Sequence, residues 1–173
     1  MIQTIIAGLL LTVAAGPCGY PAGTEVKVQV VPTTAYYIVS ELEFSGQAQA
    51  IPGVAGKKAK VKFLEAVKLE GTGMLADGTF VTRNDGKFRQ IKEPTGRYGK
   101  LVPGQTAAAN PALFEPGTVV CSPEHGWTVT ITDIGGGLGK NGPLDVFVGD
   151  RKSYEEWLAT APKEALVISW KTE

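Results

Sequence analysis

The second half of the chain is a series of short segments of alternating polarity, separated by turns rich in glycine and proline. Four segments have the length and residue types of β-strands, and they cover residues 117–121 (GTVVC), 127–132 (WTVTIT), 144–148 (LDVFV) and 165–170 (ALVISW). The 173 residues include 22 glycines and 11 prolines, and no collagen-like period accounts for them. This pattern predicts a mainly β fold, a small closed barrel with one or two short helices.

The first half of the chain contains fewer clear strands. Residues 25–31 (EVKVQVV) alternate between polar and apolar side chains, which predicts a strand. Residues 80–82 and 88–91 predict a hairpin, because the turn-forming sequence Asn84-Asp85-Gly86 lies between them.

Helices are predicted at two places at most. Residues 57–69 (KKAKVKFLEAVKL) fit either a strand or a short helix, since their apolar positions satisfy both periods. A second short helix is expected to begin at Ser153, because its spacing to Glu156 matches a capping box.

Composition excludes several classes of function. The chain has 17 Lys and Arg against 17 Asp and Glu, so no basic excess points to a nucleic-acid partner. No apolar stretch reaches the roughly 18 residues of a stable membrane span. A single histidine, His125, argues against histidine-based metal sites and against Ser-His or Cys-His catalysis. No metal or cofactor is expected, and carboxylates are left to carry any chemistry.

The N-terminal segment indicates export. Residues 1–16 contain an apolar run ending in small residues, which suits either a signal peptide or a buried first element. Residues 17–32 are expected to form a linker and a first strand, and residues 33–173 a barrel domain. Cys18 and Cys121 are the two cysteines, and they form either one disulfide or two buried thiols.

Two aspartates are the strongest candidates for chemistry. Asp133 continues the face of its strand that carries Val129 and Ile131, where an ionised carboxylate is costly. Asp145 lies opposite the apolar face of its own strand, and a glycine-rich segment (residues 134–144) can bring the two strands together. Two nearby carboxyls raise each other's pKa, and a carboxyl protonated near neutral pH can act as a general acid. The alternative is that each aspartate is an ordinary turn or cap residue.

Several motifs follow one another in a characteristic order. They are Tyr36-Tyr37 with residues 41–46, Leu69-Glu70-Gly71-Thr72-Gly73 with Asp77-Gly78, Ala108-Ala109-Asn110-Pro111, Phe114-Glu115-Pro116-Gly117-Thr118, Asp133-Ile134-Gly135-Gly136, and Leu144-Asp145-Val146-Phe147. This order resembles the three-aspartate domain, which is shared with the catalytic barrel of membrane-bound lytic transglycosylase A and with small wall enzymes of spore-formers and phages. The resemblance covers about residues 33–170.

The resemblance implies a six-stranded double-psi β-barrel with a groove for peptidoglycan glycan strands. It implies cleavage between N-acetylmuramic acid and N-acetylglucosamine with formation of a 1,6-anhydro end. Asp145 takes the position of the family's general acid/base, and Asp133 the position of its supporting aspartate. Further residues would line the groove and bind substrate: Glu70, Thr72, Asn110, Gly135, Gly136 and Lys140.

This sequence departs from the family pattern at three positions. Asn110 stands where the family has its first aspartate, so that position cannot carry charge. Glu70 replaces a glutamine and adds a carboxylate to the groove. The segment that leads to Asp145 is one residue longer than usual, which can displace Lys140.

Two other functions remain open at this point. One is a non-catalytic glycan-binding or wall-loosening barrel of the expansin or barwin type, for which Tyr98, Trp127 and Trp157 are candidate aromatic contacts. The other is a structural protein of a phage or envelope that retains the fold. All three functions place the protein in the cell envelope, outside the cell or on a phage particle. The oligomeric state is left undetermined by the sequence.

Overall fold

The computed structural model describes residues 18–135 and 142–172. These residues form twelve β-strands and two α-helices, together with a 3-10 turn at Glu41–Glu43. The strands are β1 (Lys27–Tyr37), β2 (Val39–Ser40), β3 (Ala48–Ala50), β4 (Lys58–Lys60), β5 (Thr72–Met74), β6 (Phe80–Asn84), β7 (Lys87–Ile91), β8 (Thr106–Ala108), β9 (Thr118–Ser122), β10 (Trp127–Asp133), β11 (Leu144–Gly149) and β12 (Glu164–Lys171). The helices are α1 (Val61–Glu70) and α2 (Arg151–Thr160).

Six of the strands close into a barrel in the order β1-β11-β8-β10-β9-β12. Two parallel pairs, β1 with β11 and β8 with β10, lie on either side of the antiparallel pair β8–β11. Parallel neighbours require crossing connections, as in a double-psi barrel. The predicted mainly β fold, a closed six-stranded barrel with short helices, is confirmed.

Alternation along the strands explains why these segments form a barrel. In β11, Leu144, Val146 and Val148 point into the barrel core, while Asp145 and Phe147 point outward. The interior is filled by small and branched side chains, including Val31, Ala107, Val120, Val129, Ile131, Val146 and Val167.

A second sheet, in the order β2-β5-β6-β7, packs with α1 beside the barrel. The helix lies directly on β5, because a Cβ at Gly73 would come within 2.5 Å of Val67 and 2.8 Å of Phe63. A small apolar cluster around Phe147, Ile38 and Leu101 connects this sheet to the outer face of the barrel. The face of the barrel that carries Asp145 is therefore partly covered.

Most of the predicted elements are present with shifted bounds. The predicted strand at residues 25–31 overlaps β1, which begins at Lys27, pairs with β12 over residues 27–32 and continues to Tyr37 along β11. Residues 57–69 contain both expected alternatives: the short strand β4 comes first, and α1 follows it directly. The predicted hairpin is confirmed by the pairing of β6 with β7, and Asp85 and Gly86 adopt positive φ angles of 51° and 79° at its turn.

The predicted cap of the C-terminal helix is wrong. Asp150, not Ser153, is the N-cap of α2, because its carboxylate accepts the Ser153 N–H at 2.8 Å. Glu156 instead forms an exposed ion pair with Lys152, at 3.7 Å. The sequence offered two cap-forming residues three positions apart, and the earlier one caps the helix.

Cys18 and Cys121 form a disulfide, with Cα atoms 5.9 Å apart. The bridge joins the start of the described chain to β9, beside the packed rings of Tyr20 and Trp170. It closes a loop across 103 positions of sequence, which corresponds to a stabilisation of about 4–5 kcal/mol in the chain-entropy model. Residues 1–16, the expected signal peptide or first element, lie outside the described residues. Neither helix of the described part is long and apolar enough to cross a membrane.

Candidate active site

The two candidate aspartates lie in one row across the barrel. Ala108 in β8 pairs with Asp133 in β10 on one side and with Asp145 in β11 on the other. Neighbouring strands are about 4.8 Å apart, so the two Cα atoms are separated by roughly 10 Å. The register thus brings together residues that are twelve positions apart in sequence.

A β-bulge turns Asp133 toward the same face as Asp145. Ile131 pairs with Ala107 and Asp133 with Ala108, so Thr132 is an extra residue in the ladder. Without the bulge, Asp133 would point into the barrel with Val129 and Ile131. The expectation that Asp133 ends the apolar row is therefore wrong, because the extra residue reverses the side of the sheet on which its side chain lies.

Asp133 is held by two backbone donors, one from a loop formed by residues 93–101 and one from the residue that follows it. Its Oδ1 atom accepts the N–H of Arg97 and the N–H of Ile134, both at 2.8 Å. The loop lies close to β10, since Tyr98 N–H donates to the Thr132 carbonyl at 2.9 Å and Gly96 lies directly against Asp133. Burial raises the pKa of Asp133, and the two backbone donors and the Arg97 charge act against that rise.

Asp145 has different surroundings. It is the second residue of β11, at the start of that strand's outer row, and its Oδ1 atom is buried without a hydrogen-bond partner among the described residues. Burial raises its pKa to about 7, and the negative charges of Glu70 and Asp133 add to the effect in that order. A carboxyl with such a pKa is partly protonated at neutral pH and can both donate and accept a proton.

Tyr36 belongs to the same face, although sequence reasoning did not name it as a site residue. Its ring lies against Phe147 with the centroids 5.3 Å apart, and its hydroxyl is buried without a described partner. Burial raises the pKa of the Tyr36 hydroxyl, and the charges of Asp133 and Asp145 raise it further. The alternation of side chains along β1 places Tyr36 on one face of its strand. Only the pairing of β1 with β11 shows that Asp145 lies on the same face.

Glu70 and Thr72 approach the acids from the end of α1 and the start of β5. Glu70 is largely exposed, and partial desolvation raises its pKa. Of the neighbouring charges, it has the larger effect on the pKa of Asp145. Thr72 is only 4% exposed, and its hydroxyl lies 3.4 Å from the Thr95 carbonyl and 3.3 Å from the Thr82 hydroxyl. Thr72 thus connects β5 to the 93–101 loop from inside the protein.

The remaining candidate residues surround the ends of β8 and β10. Asn110 follows β8, and its side-chain oxygen accepts the Ala112 N–H at 2.8 Å in a local turn. Gly135 follows β10 and is half-buried. Gly136 and Lys140 lie outside the described residues, so their substrate-binding roles stay predictions. Within residues 18–135 and 142–172, no group of three or more acidic, His or Cys side chains could hold a metal ion.

The three candidate aromatic residues do not share one surface. Trp127 and Trp157 contact each other, with centroids 6.5 Å apart, and pack against the barrel core. Tyr98 bonds to Thr132, near the opposite end of β10 from Trp127. This placement gives no strip of stacked aromatic rings.

A separate cleft of about 960 Å³ lies beside residues 21–27, lined in part by Pro21, Lys27, Pro111, Glu115, Trp170 and Lys171. One of its two carboxylates, Glu115, forms an ion pair with Lys171, which lowers the pKa of Glu115. A carboxyl with a lowered pKa is ionised at neutral pH and is a poor proton donor. The acid–base chemistry is therefore better suited to the row that contains Asp145.

Comparisons with known proteins give distant structural similarity alone. No family model matches the chain, and no curated protein matches it. Among solved structures, a lytic transglycosylase, LtgG, of Burkholderia pseudomallei aligns with 84% of this chain and 73% of its own, at 14% identity and a TM-score of 0.45. At this level the similarity says nothing about which residues act.

Proposed function

We propose that the protein is a peptidoglycan lytic transglycosylase, which cleaves the β-1,4 bond between N-acetylmuramic acid and N-acetylglucosamine. The observation that carries the proposal is Asp145, a carboxyl on the outer face of the barrel whose pKa is raised to about 7. The order of motifs that resembles the three-aspartate domain supports the same choice of residue.

One carboxyl is sufficient for this reaction. Protonated Asp145 donates its proton to the glycosidic oxygen, and the bond from that oxygen to C1 of the muramic acid breaks. The resulting carboxylate then accepts the proton of the C6 hydroxyl as O6 bonds to C1, which closes the 1,6-anhydro ring. Asp145 ends in its starting state, and no water is consumed. The attacking hydroxyl belongs to the same sugar, which supplies the advantage of an intramolecular nucleophile.

The neighbouring acids set the proton affinity of Asp145. Glu70 and Asp133 both raise the pKa of Asp145, so the acid form persists at neutral pH. Asp133 is bonded to two backbone N–H groups and has the role of a fixed neighbour. Asn110, Gly135, Gly136 and Lys140 are proposed to bind the glycan strand beside it.

Digestion of purified peptidoglycan, followed by mass spectrometry of the products, tests the proposal. The wild type should release muropeptides with 1,6-anhydro ends. The Asp145→Asn variant should be slower by a factor of about 10²–10⁴, the usual contribution of a general acid/base. Glu124→Gln is a matched control, since Glu124 lies in the exposed β9–β10 turn, at the opposite end of β10 from Asp133, and its substitution should leave the rate unchanged.

Two results would overturn the proposal. Products with hydrated reducing ends would mean that water, not the C6 hydroxyl, attacks C1. Binding to peptidoglycan without any product would mean that the barrel recognises glycan without cleaving it.

A further inference from the structure

We infer that Tyr36 is a positioning residue for Asp145, whose hydroxyl holds one ordered water against the Oδ1 atom of that carboxyl. This link fixes Oδ1 as the hydrogen-bond acceptor, so the acidic proton resides on the other carboxyl oxygen. The inference rests on the proposed function for its catalytic meaning, while the hydrogen-bond link itself is independent of it.

The strand register places the two side chains on one face. Thr34 in β1 pairs with Asp145 in β11, and Tyr36 pairs with Phe147. Residues two apart in a strand share a face, so Tyr36 and Asp145 are diagonal neighbours across the parallel pair. The contact between the rings of Tyr36 and Phe147, together with the apolar cluster of Ile38 and Leu101, fixes the position of the tyrosine ring.

The polar atoms of this face are left without partners. Four buried side-chain polar atoms of the described residues have no hydrogen bond. Those of Tyr36 and Asp145 lie on one outer face of the barrel, and that of Thr132 lies beside the 93–101 loop. A buried polar atom without a partner costs about 1–3 kcal/mol. Native proteins usually satisfy such atoms with protein groups or ordered water. A cluster of them on one face therefore calls for an explanation.

The unpartnered atoms of Tyr36 and Asp145 are chemically complementary. The tyrosine hydroxyl is a donor, and the carboxyl oxygen is an acceptor in either protonation state. No direct bond joins them. A water between them accepts a hydrogen bond from the tyrosine O–H and donates one to Oδ1, which satisfies both groups.

The link also predicts the direction of a pKa change. A hydrogen bond donated toward a carboxyl stabilises its ionised form more than its neutral form, and so lowers its pKa. Glu70 and Asp133 act on Asp145 in the opposite direction, and the Arg97 charge acts on Asp133. Removing the tyrosine hydroxyl leaves those charges unchanged and should raise the pKa of Asp145.

The Tyr36→Phe variant, which keeps the ring and its packing on Phe147, tests the inference. We expect the pKa of Asp145, followed by ¹³C NMR of its carboxyl, to rise by roughly half a unit to one unit. We expect kcat for peptidoglycan cleavage to fall about five- to tenfold, because the proton affinity of the general acid changes. We expect KM to stay unchanged, because the Tyr36 hydroxyl is buried and does not contact the substrate. Tyr37→Phe is the matched control: this neighbouring hydroxyl bonds to Glu43, and its loss should leave the pKa of Asp145 in place.

An unchanged pKa of Asp145 in Tyr36→Phe, or an equal shift in Tyr37→Phe, would overturn the inference. A high-resolution crystal structure of the wild type gives a measurement without any substitution. It should show a water within about 3 Å of both the Tyr36 hydroxyl and Asp145 Oδ1, and a dry gap would overturn the link. The NMR measurement does not require turnover. If the pKa of Asp145 rises as expected in Tyr36→Phe but the wild type releases no anhydro products, the proposed function alone is refuted.

Discussion

Asp133 and Asp145 flank the same residue of β8, yet their carboxyl groups meet different surroundings. Asp133 ends its strand, so the N–H of Ile134 and the N–H of Arg97 are available to its carboxylate. Asp145 lies within β11, which pairs with β1 on one side and with β8 on the other. Its Oδ1 atom is buried without a hydrogen-bond partner among the described residues.

The comparison shows how a barrel can give two identical residues different acidities. The end of β10 and the 93–101 loop supply Asp133 with backbone donors that stabilise a carboxylate, whereas Asp145, near the start of β11 and paired on both sides, is buried without such donors. Both pKa values are raised, but only the pKa of Asp145 rises as far as about 7. The following substitutions test this difference between the surroundings of Asp133 and those of Asp145.

The largest expected effect is on stability as a function of pH. The folded-state pKa of Asp145 is about 7, well above the value of about 4 for an unfolded aspartate. Between these values the folded chain holds a proton that the unfolded chain has lost, so stability falls as the pH rises toward 7. Asp145→Asn removes this titration. Relative to the wild type, its free energy of unfolding should increase by about 2–4 kcal/mol between pH 4 and pH 8.

Urea denaturation at pH 4, 6 and 8, with the disulfide intact, measures this difference. Asp133→Asn is the internal comparison. Its difference from the wild type should depend less on pH, because backbone donors oppose the rise of the Asp133 pKa. A pH-independent difference for Asp145→Asn would show that Asp145 is not the unusual acid of the pair.

The second substitution disturbs the loop that supplies the donor to Asp133. A Cβ at position 96 would lie 2.7 Å from Asp133 Cγ and 2.9 Å from the Thr132 carbonyl oxygen. The 93–101 loop would have to move away from β10, and the Arg97 N–H would leave Asp133. We expect Gly96→Ala to lower the free energy of unfolding by about 1–3 kcal/mol and to raise the pKa of Asp133.

Gly99→Ala is the matched control in the same loop. A Cβ there would lie 3.7 Å from the nearest atom of Thr132, which is an ordinary contact, so we expect a change within about 0.5 kcal/mol. Thermal or urea unfolding of both variants measures the difference. Equal losses for the two glycines would mean that the loop is not held against Asp133 in the way the structure describes.

The barrel strands could be predicted from the sequence because alternation records which face is buried. In β11, for example, Leu144, Val146 and Val148 mark the inner face, and they place Asp145 outside. Alternation gives the wrong face for Asp133, because nothing in the sequence of β10 (WTVTITD) indicates that Thr132 is an extra residue in the pairing. The bulge appears only in the pairing of β10 with β8, which is a contact between distant parts of the chain.

The surroundings of the two acids depend on such contacts to an even greater degree. The 93–101 loop contains turn-forming residues, but nothing in its sequence indicates that it packs on β10. Tyr36 is separated from Asp145 by more than one hundred positions of sequence. The sequence motifs thus located the carboxyls. The donors, the buried hydroxyl and the relative influence of Glu70 required the packed structure.

The smallest expected effect separates the two charges that act on Asp145. Glu70 precedes Asp133 among the charges that raise the pKa of Asp145. Glu70→Gln removes its charge, so the pKa of Asp145 and the alkaline limb of the pH–rate profile should move to lower pH, by less than about one unit. Glu65→Gln is the control on the same helix, because Glu65 is exposed and pairs with Lys68. The profile of Asp133→Asn should move less than that of Glu70→Gln. A larger shift for Asp133→Asn would mean that the partner across β8, rather than the end of α1, sets the acidity of Asp145.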